Sequence, residues 1–290
     1  MKFGDLELFL IEDGPFRLDG GAMYGIVPKV LWTKVDPSDD RNRVTLNANL
    51  LLIKGNGFNA LIDTGLGGKW DDKEREMFAV SELRTMVTDL ARVDLRPDDI
   101  THVIQTHLHF DHAGGATYID ADGSLKVQFP NAKYIIQRGE WEIANNPNPR
   151  DTRSYKRENQ QPLEEAGVLE LIDGDKEILP GISVEVTGGH TKYHQVVHVK
   201  SGGHHLVYLG DLVPTPNHIR TAYLMAYDLY PVEVMEKKVP LLERAADENW
   251  LLMFEHSPEK KAGHLVRGEK GRLELDVFDL DQAEYTPAGG

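Results

Sequence analysis

The sequence contains no cysteine in its 290 residues. Disulfide bonds and zinc sites with thiolate ligands are therefore excluded. Histidine and acidic residues are plentiful, with 12 His and 47 Asp and Glu. Any metal ion must consequently be held by imidazole and carboxylate groups.

Positive charge is also scarce. The chain has 32 Lys and Arg against 47 Asp and Glu, which gives a formal net charge of −15. The longest basic runs are pairs such as Lys260-Lys261, whereas proteins that bind nucleic acids cluster Lys and Arg to neutralise phosphates. We therefore expect a small-molecule substrate and no nucleic-acid partner.

Long apolar runs are missing as well. No stretch approaches the roughly 20 apolar residues of a membrane helix, and the N-terminal residues Met1-Lys2-Phe3-Gly4-Asp5 mix charged and apolar side chains. We expect a cytoplasmic protein with no membrane partner. No Ser/Gly/Pro-rich linker divides the sequence, so residues 1–290 are expected to form one domain.

Short apolar runs typical of β-strands recur along the chain. They lie at residues 6–11, 44–53, 58–62, 102–105, 133–137, 183–186, 195–199, 206–209 and 251–254. Helical spacing occurs between them. It predicts one helix from Leu83, Met86, Val87 and Leu90, and two more over residues 138–146 and 232–246, the last kinked or restarted at Pro240. Sheets flanked by helices, an α/β fold, are therefore expected.

One segment, residues 13–43, has apolar residues without a clear period, and Gly and Pro interrupt it. We expect it to be either a lid or a dimer contact, or else an ordinary loop packed on the core. If it is a dimer contact, the chain forms a homodimer.

The strongest functional pattern is Thr106-His107-Leu108-His109-Phe110-Asp111-His112, which follows an apolar run and precedes Ala113-Gly114-Gly115. A loop leaving a strand can turn alternate side chains toward one point. His107 and His109 can then bind one metal ion while Asp111 and His112 reach a second, and the glycines permit tight backbone passage. Four such groups within six positions predict a metal site.

These four residues match, position by position, the H-x-H-x-D-H motif of the metallo-β-lactamase superfamily, which the sequence resembles. The resemblance implies an αββα four-layer sandwich. It also implies three further metal ligands, each after an apolar strand: His190 for the first ion, Asp211 as the bridge between ions, and His256 for the second ion. Asp63, in Leu61-Ile62-Asp63-Thr64-Gly65, resembles a family residue that orients a metal ligand. The alternative is that it simply caps a turn.

The resemblance implies two divalent metal ions, by default Zn²⁺, although Mn, Fe or Co also suit imidazole and carboxylate ligands. Two ions about 3.5–4 Å apart can share a hydroxide, because a bound metal lowers the pKa of water toward ~7. That hydroxide would attack a carbonyl or phosphoryl group. Asp111, beside the bridging position, is the candidate catalytic residue that shuttles the proton.

Within the superfamily, residues 19–32 and 210–215 resemble the quorum-quenching lactonases, which open N-acyl-homoserine lactones. The resemblance implies a lactone substrate whose acyl tail rests on apolar surface near the entrance. The candidate substrate-binding residues are Met23, Tyr24, Ile26, Trp32, Tyr193, His218, Tyr223 and Tyr227. Those lactonases have a substrate-binding tyrosine three residues beyond the bridging aspartate, where this sequence has Pro214, so Tyr223 and Tyr227 are alternatives for its role.

Other reactions stay open at this point. A phosphotriesterase resembling methyl-parathion hydrolase would use the same hydroxide, and other ester or thioester hydrolases of the superfamily share the ligands. A β-lactamase is disfavoured because a common zinc pattern there uses cysteine. A non-catalytic binding module is disfavoured because all of the expected metal ligands are retained.

Overall fold

Two β-sheets form the centre of this computed structural model, which describes residues 1–81, 84–281 and 284–285. The first part of the chain supplies β1 (Lys2–Phe3), β2 (Leu6–Asp19), β3 (Arg43–Gly55), β4 (Phe58–Ile62), β5 (His102–Ile104), β6 (Thr117–Ile119), β7 (Leu125–Val127), β8 (Lys133–Gln137) and β9 (Leu169–Ile172). The second part supplies β10 (Lys176–Leu179), β11 (Ile182–Val186), β12 (Gln195–Ser201), β13 (His204–Tyr208), β14 (Leu251–Met253), β15 (Ala262–Arg267) and β16 (Leu273–Phe278). The helices are α1 (Gly20–Tyr24), α2 (Lys29–Trp32), α3 (Asp72–Phe78), α4 (Met86–Arg92), α5 (Phe110–Ala113), α6 (Arg138–Asn145), α7 (Gln161–Glu165) and α8 (Pro231–Asp247).

The two sheets are built from successive parts of the chain. The first has the strand order β1-β2-β3-β4-β5-β8-β9, and the second has the order β10-β11-β12-β13-β14-β15-β16. Strands β4, β5, β8 and β9 are parallel to one another, and so are β13 and β14. The carboxyl ends of these parallel strands therefore lie at common edges of the two sheets, where the loops with the polar motifs begin.

The strands are buried on both faces, and β3 shows how the sequence achieves this. Leu50 and Leu52 belong to the apolar cluster outside the first sheet, whereas Leu51 and Ile53 belong to the cluster between the sheets. Successive side chains of a strand point to opposite faces, so a continuous apolar run serves two layers of core.

Helices cover the outer face of each sheet. Leu90 of α4 and Trp141 of α6 join the cluster outside the first sheet, and Val234 and Leu242 of α8 join the cluster outside the second. The layers thus run helix, sheet, sheet, helix, and the expected αββα sandwich is confirmed.

The predicted secondary structure agrees with the observed elements apart from shifts at their ends. Each predicted strand overlaps an observed one. The helix expected at 138–146 is α6, the one expected at 232–246 is α8, which continues through Pro240, and the one expected around 83–90 is α4, with Leu83 outside the described residues. Within the described part of the chain, no helix has the length and hydropathy needed to cross a bilayer.

The segment 13–43 is more regular than its sequence predicts. Its first seven residues, 13–19, complete β2, and those from Phe16 to Asp19 pair with β3 beyond a register shift between Asp13 and Phe16. In the remainder, Tyr24 stacks between Trp32 and His218, with ring centroids 5.3 and 5.0 Å apart. These stacks fix the segment to the core. Its role as a lid or a dimer contact stays a prediction.

A buried lysine ties α8 to the loop that carries His218. Lys238 is 0% exposed, and its Nζ donates hydrogen bonds to the carbonyl oxygens of His218 (3.0 Å), Arg220 (3.2 Å) and Tyr223 (2.9 Å). Burial lowers the pKa of Lys238 to about 8. Its methylene stem packs in the core while its ammonium donates to three carbonyls, of which that of Arg220 also accepts from the backbone N–H of Tyr223 (3.0 Å).

We expect Lys238→Met to lower the free energy of unfolding by about 3 kcal/mol, because the three carbonyls lose a charged donor in a buried place. Chemical denaturation followed by circular dichroism measures the effect. Lys237→Met, on the exposed neighbour, is the matched control and should change stability little. Equal stabilities of the two variants would contradict this account of Lys238.

Candidate metal centre

The residues of the expected metal centre all follow strands. His107, His109, Asp111 and His112 follow β5, His190 lies between β11 and β12, Asp211 follows β13, and His256 follows β14. The two sheets are joined here, because the backbone N–H of Gln195 donates to the carbonyl oxygen of Thr106 (3.0 Å). Residues distant in sequence are therefore brought to one place by strand ends.

The glycines after the motif are required by close packing. A Cβ atom on Gly114 would lie 2.1 Å from the carbonyl oxygen of Leu66, and one on Gly115 would lie 2.2 Å from that of Thr64. Only glycine allows the chain to pass this closely. The backbone N–H of Thr64 donates to the carbonyl oxygen of His112 (2.7 Å), so this contact also holds the last residue of the motif.

Three imidazoles form the first group of potential ligands. His107, His109 and His190 each offer a ligand atom within 4.8 Å of the others. The Nε2 of His190 lies 3.1 Å from the Nδ1 of His109. The buried Nε2 of His107 has no hydrogen-bond partner among the described residues. A buried nitrogen without a partner costs free energy, and a cation at this point would satisfy it.

The second group contains Asp111, His112 and His256, whose ligand atoms also lie within 4.8 Å of one another. The Nε2 atoms of His256 and His112 are 3.1 Å apart. The Oδ2 of Asp111 lies 3.7 Å from the Nε2 of His256. The group thus combines two imidazoles with a carboxylate, a donor set that suits a divalent transition metal.

Asp211 lies between the two groups. Its Oδ2 is 3.1 Å from the Nε2 of His190, and its Oδ1 is 3.1 Å from the Nε2 of His256. Its backbone N–H donates to the Nε2 of His194 (3.0 Å), which fixes the turn after β13. One carboxylate therefore faces both groups, and the residues present fit two neighbouring cations.

Electrostatics support the same interpretation. Burial lowers the pKa of His107, and the neighbouring imidazoles add to the effect, so its pKa lies well below the usual value. Burial alone would raise the pKa of Asp211, but His190 and His256 outweigh it and hold the pKa well below the usual range. Burial alone would lower the pKa of His112, His190 and His256, but nearby carboxylates, Asp211 among them, outweigh it and raise the pKa, so the site attracts positive charge. A bound cation would replace those protons, because neutral imidazole and ionised carboxylate are the forms that bind metals.

His112 is oriented by two buried carboxylates. Its Nδ1 lies 3.1 Å from the Oδ2 of Asp63 and 2.9 Å from the Oε2 of Glu255. Asp63 also accepts hydrogen bonds from the backbone N–H (2.7 Å) and the hydroxyl (2.6 Å) of Thr106. Asp63 thus contacts a candidate ligand and does more than cap a turn. Glu255 was not predicted, although it directly precedes His256.

Other acceptors orient the remaining imidazoles. The Nδ1 of His190 lies 2.9 Å from the Oδ1 of Asp228, and the Nε2 of His109 lies 3.2 Å from the Oδ1 of Asp151. The Nδ1 of His256 lies 2.9 Å from the carbonyl oxygen of Asn47. Sequence reasoning missed Asp228 and Asp151, because each lies in a loop without a recognisable motif.

A cavity of about 170 Å³ opens onto the candidate ligands. Its wall is mainly apolar, and the residues that line it are Leu18, Met23, Phe78, His109, Phe110, Asp111, Arg153, Ser154, His190, Asp211, Met225, Tyr227 and His256. Two of the expected substrate-binding residues, Met23 and Tyr227, are therefore placed beside the candidate metal centre.

The other expected substrate-binding residues do not line this cavity. Tyr24, Trp32 and His218 are buried in the stack behind Met23, where packing occupies both faces of the Tyr24 ring. Tyr223 packs its ring edge-on against Tyr24. These four residues thus pack behind the cavity wall and do not line the cavity, and their contact with substrate stays a prediction.

Ile26 and Tyr193 also lie elsewhere. Ile26 is 87% exposed and does not line the cavity. Tyr193 packs against Gly139, where an added Cβ would lie 2.3 Å from the tyrosine ring. Its ring packs on α6 and does not line the cavity, and contact of Ile26 and Tyr193 with substrate stays a prediction.

Comparisons with known proteins agree with this geometry. Residues 43–256 match the model of the metallo-beta-lactamase superfamily. An N-acyl homoserine lactonase of Bacillus cereus is 35% identical over 130 residues, which is 45% of this chain and 45% of that protein. The chain thus matches less than half of the length of this curated relative.

Solved structures extend the similarity to nearly the whole chain. A probable metal-dependent hydrolase from Staphylococcus aureus is 32% identical, with a TM-score of 0.86 over 95% of this chain and 98% of that one. The dizinc quorum-quenching lactonase AidC, in complex with a product, is 21% identical with a TM-score of 0.75 over 96% of each chain, and shares the fold. Taken with the family match over residues 43–256, these findings show that the chain belongs to the metallo-beta-lactamase superfamily.

Proposed function

We propose that this protein is a metal-dependent hydrolase that opens N-acyl homoserine lactones with two divalent ions, Zn²⁺ by preference. The observation that carries the proposal is the cavity, in which the candidate metal ligands form one wall and Leu18, Met23, Phe78, Phe110 and Met225 form an apolar wall. An acylated lactone has a polar ring to place at the ions and an apolar tail to place on that surface.

The proposed ligands divide into two sets. His107, His109 and His190 would hold one ion, Asp111, His112 and His256 the other, and Asp211 both. When bound, such ions supply an activated water and polarise the substrate carbonyl. Lactone opening forms one bond from water oxygen to the carbonyl carbon, breaks the ring C–O bond, and moves a proton to the departing oxygen.

Asp111 is our candidate for moving that proton. It follows the first residue of α5, lines the cavity, and is 6% exposed. Its carboxylate therefore reaches the substrate space while remaining beside His256. A group in this position can accept a proton from the attacking water and deliver it to the ring oxygen.

Tyr227 is our candidate for holding the substrate carbonyl. Burial raises the pKa of its phenol, and the nearby carboxylates of Asp19 and Asp111 raise it further. The hydroxyl therefore stays protonated and can donate a hydrogen bond. The loop that carries Tyr227 is fixed, since the N–H of Ala226 donates to the carbonyl oxygen of Ala22 (2.7 Å) and Asp228 contacts His190.

The relatives support a lactone substrate over other esters. The curated relatives include the lactonase of Bacillus cereus, and one similar structure contains N-hexanoyl-L-homoserine, the product of lactone opening, at its catalytic metal centre. That structure is 24% identical to this chain with a TM-score of 0.68.

We expect metal-loaded protein to open N-hexanoyl homoserine lactone, measured by the acid released at constant pH, and to lose this activity after chelation. Activity should return when Zn²⁺ is added back, because the ions supply the activated water. Paraoxon is the comparison substrate. Faster turnover of paraoxon than of the lactone would indicate a phosphotriesterase and contradict the proposal.

We expect Asp211→Asn to reduce bound metal and to abolish lactone opening. The neutral amide removes the one charge that faces both ligand groups, and metal affinity should fall at least about tenfold. Elemental analysis after dialysis measures bound metal. Asp5→Asn, at an exposed site between β1 and β2, is the control. If Asp211→Asn bound as much metal as this control, the result would contradict the proposal that Asp211 binds both ions.

We expect Tyr227→Phe to lower kcat/KM for the lactone about tenfold, the equivalent of one hydrogen bond of ~1.4 kcal/mol, with metal content unchanged. Steady-state kinetics on the hexanoyl lactone measure the change. Tyr230→Phe removes an exposed hydroxyl from the same loop and should behave as wild type. If both variants keep wild-type kcat/KM, the carbonyl is held by another group.

A further inference from the structure

Glu140 is a buried carboxylate that the proposed reaction does not use. It lies in the first turn of α6 and is 1% exposed. Its Oε1 accepts hydrogen bonds from the backbone N–H of Leu108 (3.1 Å) and from the hydroxyl of Tyr155 (3.0 Å). Its Oε2 accepts from the hydroxyl of Thr191 (2.7 Å). One side chain thus joins three separate segments of the chain.

Each of these segments carries or touches an imidazole of the same ligand group. Leu108 lies between His107 and His109, so the position of its amide constrains both neighbours. Tyr155 packs its ring against that of His109, with centroids 4.9 Å apart at an interplanar angle of 65°. Thr191 directly follows His190. All three imidazoles of this group are therefore linked to Glu140.

The second ligand group is supported by other residues. His112 contacts Asp63 and Glu255, and His256 contacts the carbonyl oxygen of Asn47. The hydrogen bonds of Glu140 reach none of these residues. Glu140 thus supports the first group alone, whereas Asp63 reaches both groups, because the Thr106 hydroxyl that donates to it also lies 3.1 Å from the Nδ1 of His107.

We propose that Glu140 is a positioning residue for one ion site, and that it holds His107, His109 and His190 in their binding geometry by bridging their segments. A carboxylate suits this place because its two oxygens can accept all three hydrogen bonds, and the first turn of a helix stabilises negative charge. The inference rests on the two-ion centre proposed above.

The test is titration of metal-free protein with Zn²⁺ against a competing chromophoric chelator, which measures the affinity of each ion. Wild type should bind two ions. Glu140→Ala should bind one of them about 10- to 100-fold more weakly, the loss typical when a residue that supports a metal ligand is removed, and the other nearly as wild type.

Glu255→Gln is the matched variant for the second group, because it alters the partner of His112. If Glu140 and Glu255 serve different ions, the double variant that combines Glu140→Ala with Glu255→Gln should lose tight binding of both ions. Retention of one tight ion in the double variant would mean that both substitutions weaken the same site. Glu185→Gln, on β11 with His198 and Arg244 as partners, should bind both ions as wild type.

Conservative variants distinguish positioning from general stability. Glu140→Gln keeps an acceptor for Leu108, and the hydroxyls of Tyr155 and Thr191 can rotate to accept from its amide, so it should recover part of the lost affinity. Thr191→Val and Tyr155→Phe each remove one hydrogen bond and should weaken the same ion by a smaller factor. Thr191→Val and Tyr155→Phe also test the inference if Glu140→Ala does not fold.

Two wild-type affinities in Glu140→Ala, or an equal loss at both sites, would overturn the inference. If Glu140→Ala does not fold, unchanged affinities in both Thr191→Val and Tyr155→Phe would overturn it. Wild-type protein that binds fewer than two ions would instead contradict the two-ion centre and the inference with it, so the two failures are distinguishable.

Discussion

The burial of imidazoles and carboxylates around Asp211 is the constraint on which the rest of the structure depends. Buried polar groups destabilise a fold unless they are paired. In His190, His112 and His256, the Nδ1 has an acceptor in Asp228, Asp63 and the carbonyl of Asn47, while the Nε2 faces the centre. Cations at the centre would satisfy the near atoms together, so we expect metal binding to stabilise this edge of the fold.

The two sheets hold the candidate ligands in place, because the strands that precede these ligands have fixed ends. Strands β3 and β14 each pair with a neighbour on both sides, and these ladders fix their positions in the sheets. The turns after β5, β13 and β14 therefore begin at fixed points, and His107, Asp211 and His256 are carried on them. Gly114 and Gly115 let the loop after β5 pack closely on residues 64–66 of the same half of the chain. The hydrogen bond from Gln195 to Thr106 joins the two halves, and Asp211 of the second half faces both ligand groups.

Residues close to a strong local pattern could be predicted from sequence, and those that depend on distant packing could not. The motif from His107 to His112 and the apolar strands are local, so they were found. Asp228 acts through His190, 38 positions away, and Glu140 acts through Leu108, Tyr155 and Thr191, which are 32, 15 and 51 positions away. Contacts of this kind leave no local pattern. Residues 13–19 were not predicted as strand because Gly14 and Pro15 interrupt them. Strand β2 nevertheless accommodates Pro15, because the proline lies at a register shift where it removes no ladder hydrogen bond. Tyr24 and His218 were expected at the substrate because aromatic residues suit such a surface, but their rings stack on each other instead.

The stack of Tyr24 and His218 also supports the cavity wall, because His218 contacts Met23. The Nε2 of His218 lies 2.8 Å from the carbonyl oxygen of Met23, and its Nδ1 lies 2.8 Å from the hydroxyl of Thr215. Burial lowers the pKa of His218 to about 4, so the ring is neutral and one nitrogen donates while the other accepts. Met23 in the wall is thus held by a residue on the same turn-rich stretch that follows Asp211. The stretch from Asp211 to His218 therefore positions two parts of the cavity, the backbone of Met23 in its wall and the carboxylate that faces both ligand groups.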